Sequence, residues 1–184
     1  MRGTRAIVQS LAAVAMCTGA LQAQTDAAAP ARPSPVKKPF AEFTFSSSTA
    51  STVRDSIVAL AKAQVGTRYV YGGTTPKGFD CSGLIKYIMA ALDVDLPRTA
   101  DQQSRVGSAV GKEFSRLRPG DLLTFGSSKR VSHIGIYIGD GKYVHASTKA
   151  GRVIETKLTP KPLRGQKPWQ GVRRILAFAD SLTG

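Results

Sequence analysis

Residues 69–84, with the sequence YVYGGTTPKGFDCSGL, decide the fold: a glycine-rich loop leads into a cysteine at the start of an apolar segment. The apolar positions after the cysteine have helical spacing, which predicts a helix with one buried face formed by Leu84, Ile85, Ile88, Met89 and Leu92. A cysteine in the first turn of a helix is favoured as a thiolate by the helix dipole. The charge of Asp80 opposes this if its carboxylate faces the sulfur, but not if it caps backbone N–H groups. The alternative role for Cys81 is that of a small buried residue that packs on this helix.

Helical and then strand-like patterns surround this stretch. A first helix is predicted to begin at Thr52, which with Asp55 resembles a capping box, and to stop at Gly66. A short helix is expected over 99–106. Strand-like segments separated by turn residues then follow at 121–125, 131–138, 142–146, 153–158 and 172–178. This order predicts an α+β domain in which N-terminal helices pack on a small antiparallel sheet.

The chain contains two histidines, His133 and His145, which flank one predicted hairpin. They lie at similar distances from its turn, Gly139-Asp140-Gly141, so we expect them roughly opposite each other. One imidazole would then fix the tautomer of the other, which is the arrangement that a cysteine nucleophile requires of its base. The alternative is two unrelated histidines at the ends of a hairpin.

A zinc site would use the same three side chains. One thiolate, from Cys81, and two imidazoles, from His133 and His145, could hold zinc with an open fourth position. The close-spaced pair of ligands that is typical of such sites is missing from the sequence. We therefore predict no metal and no cofactor, and activity that survives a strong chelator would exclude zinc.

The N-terminal residues 1–23 are predicted to be an export signal. Arg2 and Arg5 precede an uncharged apolar run, and small residues offer a cleavage site after Ala23 or, alternatively, after Ala20. We therefore expect an exported protein of the periplasm or cell envelope.

Removal of the export signal would also remove one of the two cysteines, Cys17, unless that residue is lipidated. Cys81 would then be the single thiol of an exported protein, which suggests that the thiol is used. Residues 24–51 are rich in Pro, Ala and Ser and are predicted to be a linker, with the folded domain over 52–184.

The chain is strongly basic, with a formal net charge of +14. Such a charge favours acidic partners, among them anionic polymers of the envelope, although a solvated basic surface with no specific ligand explains it equally. The sequence has no dedicated nucleic-acid motif, so no specific nucleic acid is expected.

An ordered set of motifs resembles the NlpC family, the papain-like cysteine peptidases of the bacterial cell wall. The strings that carry the resemblance are RYVYGG at 68–73, FDCSGL at 79–84, LPRTA at 96–100, RPGDL at 118–122, SHIGIY at 132–137, VHA at 144–146 and GVRRI at 171–175. Tyr71 stands where a tryptophan is common in the family. The resemblance covers essentially the whole predicted domain and implies a papain-like fold.

The resemblance also implies catalytic roles. Cys81 would be the nucleophile, His133 its general base and His145 the polar third member that orients His133. The hydroxyl of Tyr69, with the backbone N–H of Cys81, could stabilise an oxyanion.

Two further residues receive substrate-binding roles from the resemblance. Asp80 and Ser82 flank the cysteine and would help to recognise the amine end of a wall peptide. Arg98 is expected instead to be a structural hydrogen-bond donor.

The resemblance implies a monomeric endopeptidase that hydrolyses amide bonds in peptidoglycan stem peptides or in the cross-links between them. One alternative is a non-catalytic wall-binding module, which would be expected to lack at least one of the three catalytic side chains. A second is a thiol acyltransferase or amidase that acts on a non-peptide substrate, and a third is a nucleic-acid binder driven by charge.

Overall fold

The computed structural model describes residues 47–162 and 164–176 of the 184-residue chain. The predicted export signal over 1–23, with Cys17, and most of the predicted linker over 24–51 lie outside the described residues. Within the described part of the chain, no helix combines the length and the apolar character needed to cross a membrane.

The described residues form three α-helices and eight β-strands. In chain order these are α1 (Ser47–Ala63), β1 (Thr74–Thr75), β2 (Gly78–Phe79), α2 (Cys81–Ala90), α3 (Ala100–Gln103), β3 (Ser108–Val110), β4 (Leu122–Ser127), β5 (Arg130–Gly139), β6 (Lys142–Ser147), β7 (Arg152–Lys157) and β8 (Trp169–Arg174). A 3-10 turn at Phe114–Arg116 precedes β4. The predicted α+β class, with helices ahead of an antiparallel sheet, is confirmed.

Six strands build one antiparallel sheet in the order β3-β8-β4-β5-β6-β7. The five strands predicted from alternation are β4 to β8, and the three consecutive strands β5, β6 and β7 form a meander. The short β3 was not predicted, because its three residues are exposed or half-buried and carry no alternating pattern. A separate two-stranded ribbon, β1 with β2, closes the glycine-rich loop ahead of α2.

Two helix boundaries differ from the sequence predictions. The helix α1 begins at Ser47, so Thr52 lies inside it and does not cap it. The sequence around Thr52 is rich in Ser and Thr, each of which can cap a helix, so the pattern does not single out one start. The short helix α3 ends at Gln103, and Thr99 caps it in a capping box with Gln102.

The sheet has an apolar layer on each face because side chains alternate along its strands. The helices cover one face, where the strands contribute residues such as Ile134, Ile136, Val144 and Val153 to the core shared with α1 and α2. The other face carries a second cluster formed by Leu117, Leu123, Phe125, Tyr137, Tyr143, Leu158, Trp169 and Val172. His133 and His145, which alternate with Ile134 and Val144, point to this second face beside Phe125 and Tyr143.

Candidate active site

Cys81 is the first residue of α2, and Asp80 is the N-cap of that helix. The Asp80 carboxylate accepts a 2.7 Å hydrogen bond from the Gly83 N–H through Oδ1 and a 3.0 Å hydrogen bond from the Gly72 N–H through Oδ2. One side chain therefore fastens the glycine-rich loop to the helix that presents the thiol. Of the two alternatives that the sequence left open for Asp80, the structure shows the one in which it caps backbone N–H groups.

The close approach of the loop to the helix requires glycine at two positions. A Cβ on Gly83 would lie 2.0 Å from the Gly73 carbonyl oxygen, and a Cβ on Gly73 would lie 2.3 Å from the Gly78 carbonyl oxygen. Both contacts are with backbone and cannot be relieved by a side-chain movement. These glycines therefore set how closely the loop packs beside Cys81.

Arg98 locks the Asp80 side chain in place. Its guanidinium donates to both carboxylate oxygens, at 3.1 Å and 2.5 Å, and to Ser82 Oγ at 2.9 Å. Burial alone would raise the pKa of Asp80, but the hydrogen bonds from Arg98 and Gly83 outweigh it and hold the pKa below its usual value. Arg98 is thus the structural donor that the sequence predicted. Asp80 and Ser82 are almost fully buried, and their polar atoms are engaged within the protein.

The Cys81 thiol is not stabilised as a thiolate, contrary to the prediction from the helix dipole. Burial raises the pKa of Cys81 above its ordinary value, and the nearby Asp80 charge raises it further. The backbone N–H groups of Ile134 and Ser82 and the charge of Lys167 act in the opposite direction and do not compensate. The carboxylate that builds the helix cap therefore also opposes ionisation of the sulfur.

The two histidines are in direct contact, as the hairpin predicted. His133 Nε2 lies 2.7 Å from His145 Nδ1, and the rings meet edge to face with their centroids 4.8 Å apart. They are diagonal neighbours rather than opposite ones, because Tyr137 pairs with Tyr143, which sets Gly135 opposite His145. A Cβ on Gly135 would lie 2.7 Å from Tyr143 Cδ2 and 3.2 Å from the His145 Cβ, so glycine at this position leaves room for both side chains.

Both imidazoles are neutral near neutral pH. Burial, with contributions from His145 and Lys167, lowers the pKa of His133 to about 3. Burial lowers the pKa of His145 to about 4. Between two neutral rings, one nitrogen must donate and the other accept, so the 2.7 Å contact fixes both tautomers together.

Aromatic rings hold this pair in place. Tyr143, two residues before His145 on the same face of β6, stacks on the His145 ring at 5.0 Å between centroids. Phe125 lies opposite His133 in the register of β4 and β5, and it also stacks on Tyr143. The sequence analysis did not name these two residues, although alternation along β6 places Tyr143 beside His145.

A cleft of about 620 Å³ opens onto the thiol and the histidine pair. Four of the six residues predicted for the site line it: Tyr69, Cys81, His133 and His145. The other two, Asp80 and Ser82, do not line it. Burial and the neighbouring Cys81 and Asp80 charges raise the pKa of Tyr69, so its hydroxyl stays protonated and can donate.

Metal ligation fits this arrangement poorly. His133 Nε2 and His145 Nδ1 are bonded to each other, and no group of three or more His, Cys, Asp or Glu side chains in the described residues is arranged to hold a metal ion.

The raised pKa of the thiol predicts how Cys81 reacts. In a Cys17→Ser background, we expect alkylation of Cys81 by iodoacetamide to accelerate steadily from about pH 5 to above about pH 9, because the thiolate fraction keeps growing. The rate is measured by intact mass, with Cys81→Ala as the unreactive control. A plateau of reactivity between about pH 5 and 7 would contradict this, because it would indicate a preformed thiolate–imidazolium pair.

Comparisons with known proteins identify relatives of this chain. The chain is 42% identical over 133 residues to the gamma-DL-glutamyl hydrolase of Bacillus subtilis, which covers 70% of the chain and 31% of the relative. It is 38% identical over 113 residues to the Escherichia coli protein named murein DD-endopeptidase MepS/murein LD-carboxypeptidase, which covers 61% of the chain and 57% of the relative. The matched region thus spans about a third to just over a half of the length of these curated relatives.

Solved structures give the same result for the fold. An NlpC/P60 family protein from Bacillus cereus superposes with a TM-score of 0.60 at 34% identity, covering 67% of this chain and 40% of that one. The peptidoglycan hydrolase RipB of Mycobacterium tuberculosis superposes with a TM-score of 0.59 at 28% identity, covering 71% and 68%. The sequence profile of the NlpC/P60 family matches residues 66–171, a range that includes Cys81, both histidines and Tyr69. The chain belongs to the NlpC/P60 family.

Proposed function

We propose that the chain is an exported cysteine endopeptidase that hydrolyses amide bonds in peptidoglycan stem peptides or cross-links. Cys81 is the nucleophile, His133 the general base and His145 the residue that orients His133. The observation that carries the proposal is the 2.7 Å contact between His133 and His145 in the cleft that Cys81 also lines. A thiol at the start of a helix and a buried, oriented imidazole are the two parts that thiol hydrolysis needs.

We infer the proton positions for catalysis from the His–His contact. Because His133 Nε2 is engaged by His145, the other nitrogen, Nδ1, is the one left to take the thiol proton. His133 must then carry its proton on Nε2 and donate it to His145 Nδ1, which accepts. His145 thus selects the tautomer of His133 that is able to act as a base.

Proton transfer and attack occur together in this scheme. The raised pKa of Cys81 and the low pKa of His133 keep the resting pair neutral, so His133 removes the thiol proton as sulfur attacks the carbonyl carbon. We propose that the oxygen of the tetrahedral intermediate accepts hydrogen bonds from the Tyr69 hydroxyl and the Cys81 backbone N–H.

Collapse of the intermediate completes the first half of the reaction. His133 returns the proton to the leaving amine, and a thioester remains on Cys81. Water, deprotonated by the same imidazole, then attacks the thioester and releases a carboxylate and the free thiol.

Tyr69, Asp80 and Ser82 are proposed as the substrate-binding side of the site. Tyr69 lines the cleft and is available for direct contact. The polar atoms of Asp80 and Ser82 are already bonded to Arg98, so contact with the amine end of a wall peptide would require exchange of one of these hydrogen bonds. Their part in substrate recognition stays a prediction.

The relatives support a wall substrate without choosing the bond. One is named for hydrolysis of gamma-DL-glutamyl bonds and another for DD-endopeptidase activity on murein. We propose either the bond between γ-D-glutamyl and a diamino acid or the cross-link between stems. We further propose that the protein acts as a monomer in the periplasm or cell envelope, close to anionic polymers that its positive charge attracts.

Digestion of purified peptidoglycan tests the function. We expect the protein to release new peptide fragments, identified by mass spectrometry, and the Cys81→Ala variant to release none, because no thioester can form without the sulfur. If the folded, reduced protein releases no fragments from several wall types, the proposal fails. Retention on intact wall would then favour a binding module, and turnover of small esters or amides a different acyl substrate.

The two histidines should differ in their effect on turnover. We expect His133→Ala to lower kcat by about 10²–10⁴-fold, as loss of a general base does. We expect His145→Ala to cost less, because orientation is a smaller effect than proton transfer.

His145→Asn is the matched control for His145→Ala. Its side-chain oxygen can accept from His133 Nε2–H, so it should retain more activity than His145→Ala. Equal activity of the Asn and Ala variants, with unchanged thermal melting, would show that His145 does not act by accepting this hydrogen bond.

A further inference from the structure

We propose that three basic residues of the cleft form a carboxylate-binding subsite, which selects substrates with a free carboxylate close to the scissile amide. The residues, here called the cationic rim, are Lys149, Arg164 and Lys167. The inference rests on the proposed hydrolase function and adds to it the chemical class of the preferred substrate.

The charge of the cleft is of one sign. All three members of the cationic rim line the cleft, and no Asp or Glu is among the described residues that line it. A concave site that carries one sign of charge between low-dielectric walls concentrates ligands of the opposite sign. A basic chain has many exposed cations, but a high net charge alone does not require several of them to line the cleft that contains Cys81.

The rim charges are not neutralised by the described part of the protein. The basic residues with an ion-pair partner there, Lys86, Arg98, Arg105, Arg116, Lys142 and Arg174, all lie outside the lining of the cleft. No rim residue pairs with a carboxylate among the described residues.

Lys167 brings this charge to the reacting groups. Its ammonium donates a 3.1 Å hydrogen bond to the carbonyl of Ser132, the residue before His133. Its charge lowers the pKa of both Cys81 and His133, which places it within electrostatic reach of both. A substrate carboxylate held by Lys167 would therefore lie close to the scissile carbonyl and not at a distant part of the wall.

The chemistry of the rim favours a carboxylate on a flexible peptide. Two lysines and one arginine, all exposed, present mobile donors without the fixed cage that a buried anion site would have. Exposed ion pairs of this type contribute modestly each and are screened by salt. The subsite should therefore act as a preference within one substrate class and should weaken as ionic strength rises.

A pair of matched peptides tests the subsite. The two stem-peptide fragments are identical except that the residue beside the scissile amide carries either a free α-carboxylate or the carboxamide. We expect kcat/KM to be about fivefold higher for the carboxylate peptide at low salt, the size expected of an exposed ion pair. We expect the difference to lie mainly in KM.

Variants of the rim should reduce this ratio. Arg164→Gln and Lys167→Gln are each expected to bring the ratio of the two peptides closer to one. The ratio cancels any effect of the Lys167 substitution on His133, since both peptides use the same base. Lys129→Gln, which removes an equal charge from the exposed turn between β4 and β5, is the control and should leave the ratio unchanged.

A binding measurement separates the subsite from the activity. In the Cys81→Ala protein, NMR titration with the same two peptides should show tighter binding of the carboxylate form, and Lys167→Gln should reduce the difference. Cleavage of both peptides with equal kcat/KM would overturn the subsite and leave the hydrolase intact. Preferential binding with no cleavage by the unsubstituted protein would support the subsite and overturn the hydrolase. Equal binding with no cleavage would overturn both. A Lys129→Gln control that lowers the ratio as much as Lys167→Gln does would overturn the subsite alone.

Discussion

The carboxylate of Asp80 is the constraint on which the site depends. It caps α2, accepts from the Gly72 N–H and forms a two-point ion pair with Arg98. Three segments that are separate in sequence are therefore fixed to one side chain, and Cys81 follows it directly. Burial, and after it this same charge, raises the pKa of the thiol. The residue that positions Cys81 thus adds to the effect of burial, and in the proposed mechanism the thiol is ionised only at the moment of reaction.

The sheet carries the base that we propose for this step. Burial keeps His133 and His145 neutral, and their 2.7 Å contact leaves one nitrogen of His133 for the thiol proton. Stacking of His145 on Tyr143 holds the second ring in position. The proposed mechanism is accordingly general-base attack from a neutral pair, with charge separation appearing only as the thiolate forms. The cationic rim lies in the same cleft and would favour the anionic species that develop there.

Local patterns in the sequence predicted the parts of the site that depend on local structure. The glycine-rich loop before an apolar helix predicted Cys81 at a helix start, and alternation about one turn predicted that the histidines meet. The diagonal geometry was missed because His133 lies two residues farther from the turn than His145, and the symmetric register that pairs Tyr137 with Tyr143 preserves this difference.

Features set by long-range contacts were not predictable from such patterns. The sequence suggested that Arg98 is structural but could not name its partner, Asp80, 18 residues away. Lys167 reaches Ser132 across 35 residues of chain, and no local pattern indicates that contact. The sign of the thiol pKa shift also depends on burial, which outweighs the helix-dipole argument made from the sequence alone.

Detection of the acyl-enzyme on Cys81 tests the central claim most directly. The unsubstituted protein is mixed with a stem peptide, quenched in acid within the first turnovers and analysed by intact mass and peptide mapping. The account predicts a mass increase equal to the acyl fragment, localised to the peptide that contains Cys81 and labile to hydroxylamine as a thioester is. Turnover of the peptide with no such adduct on Cys81, or with full activity retained in Cys81→Ala, would contradict it.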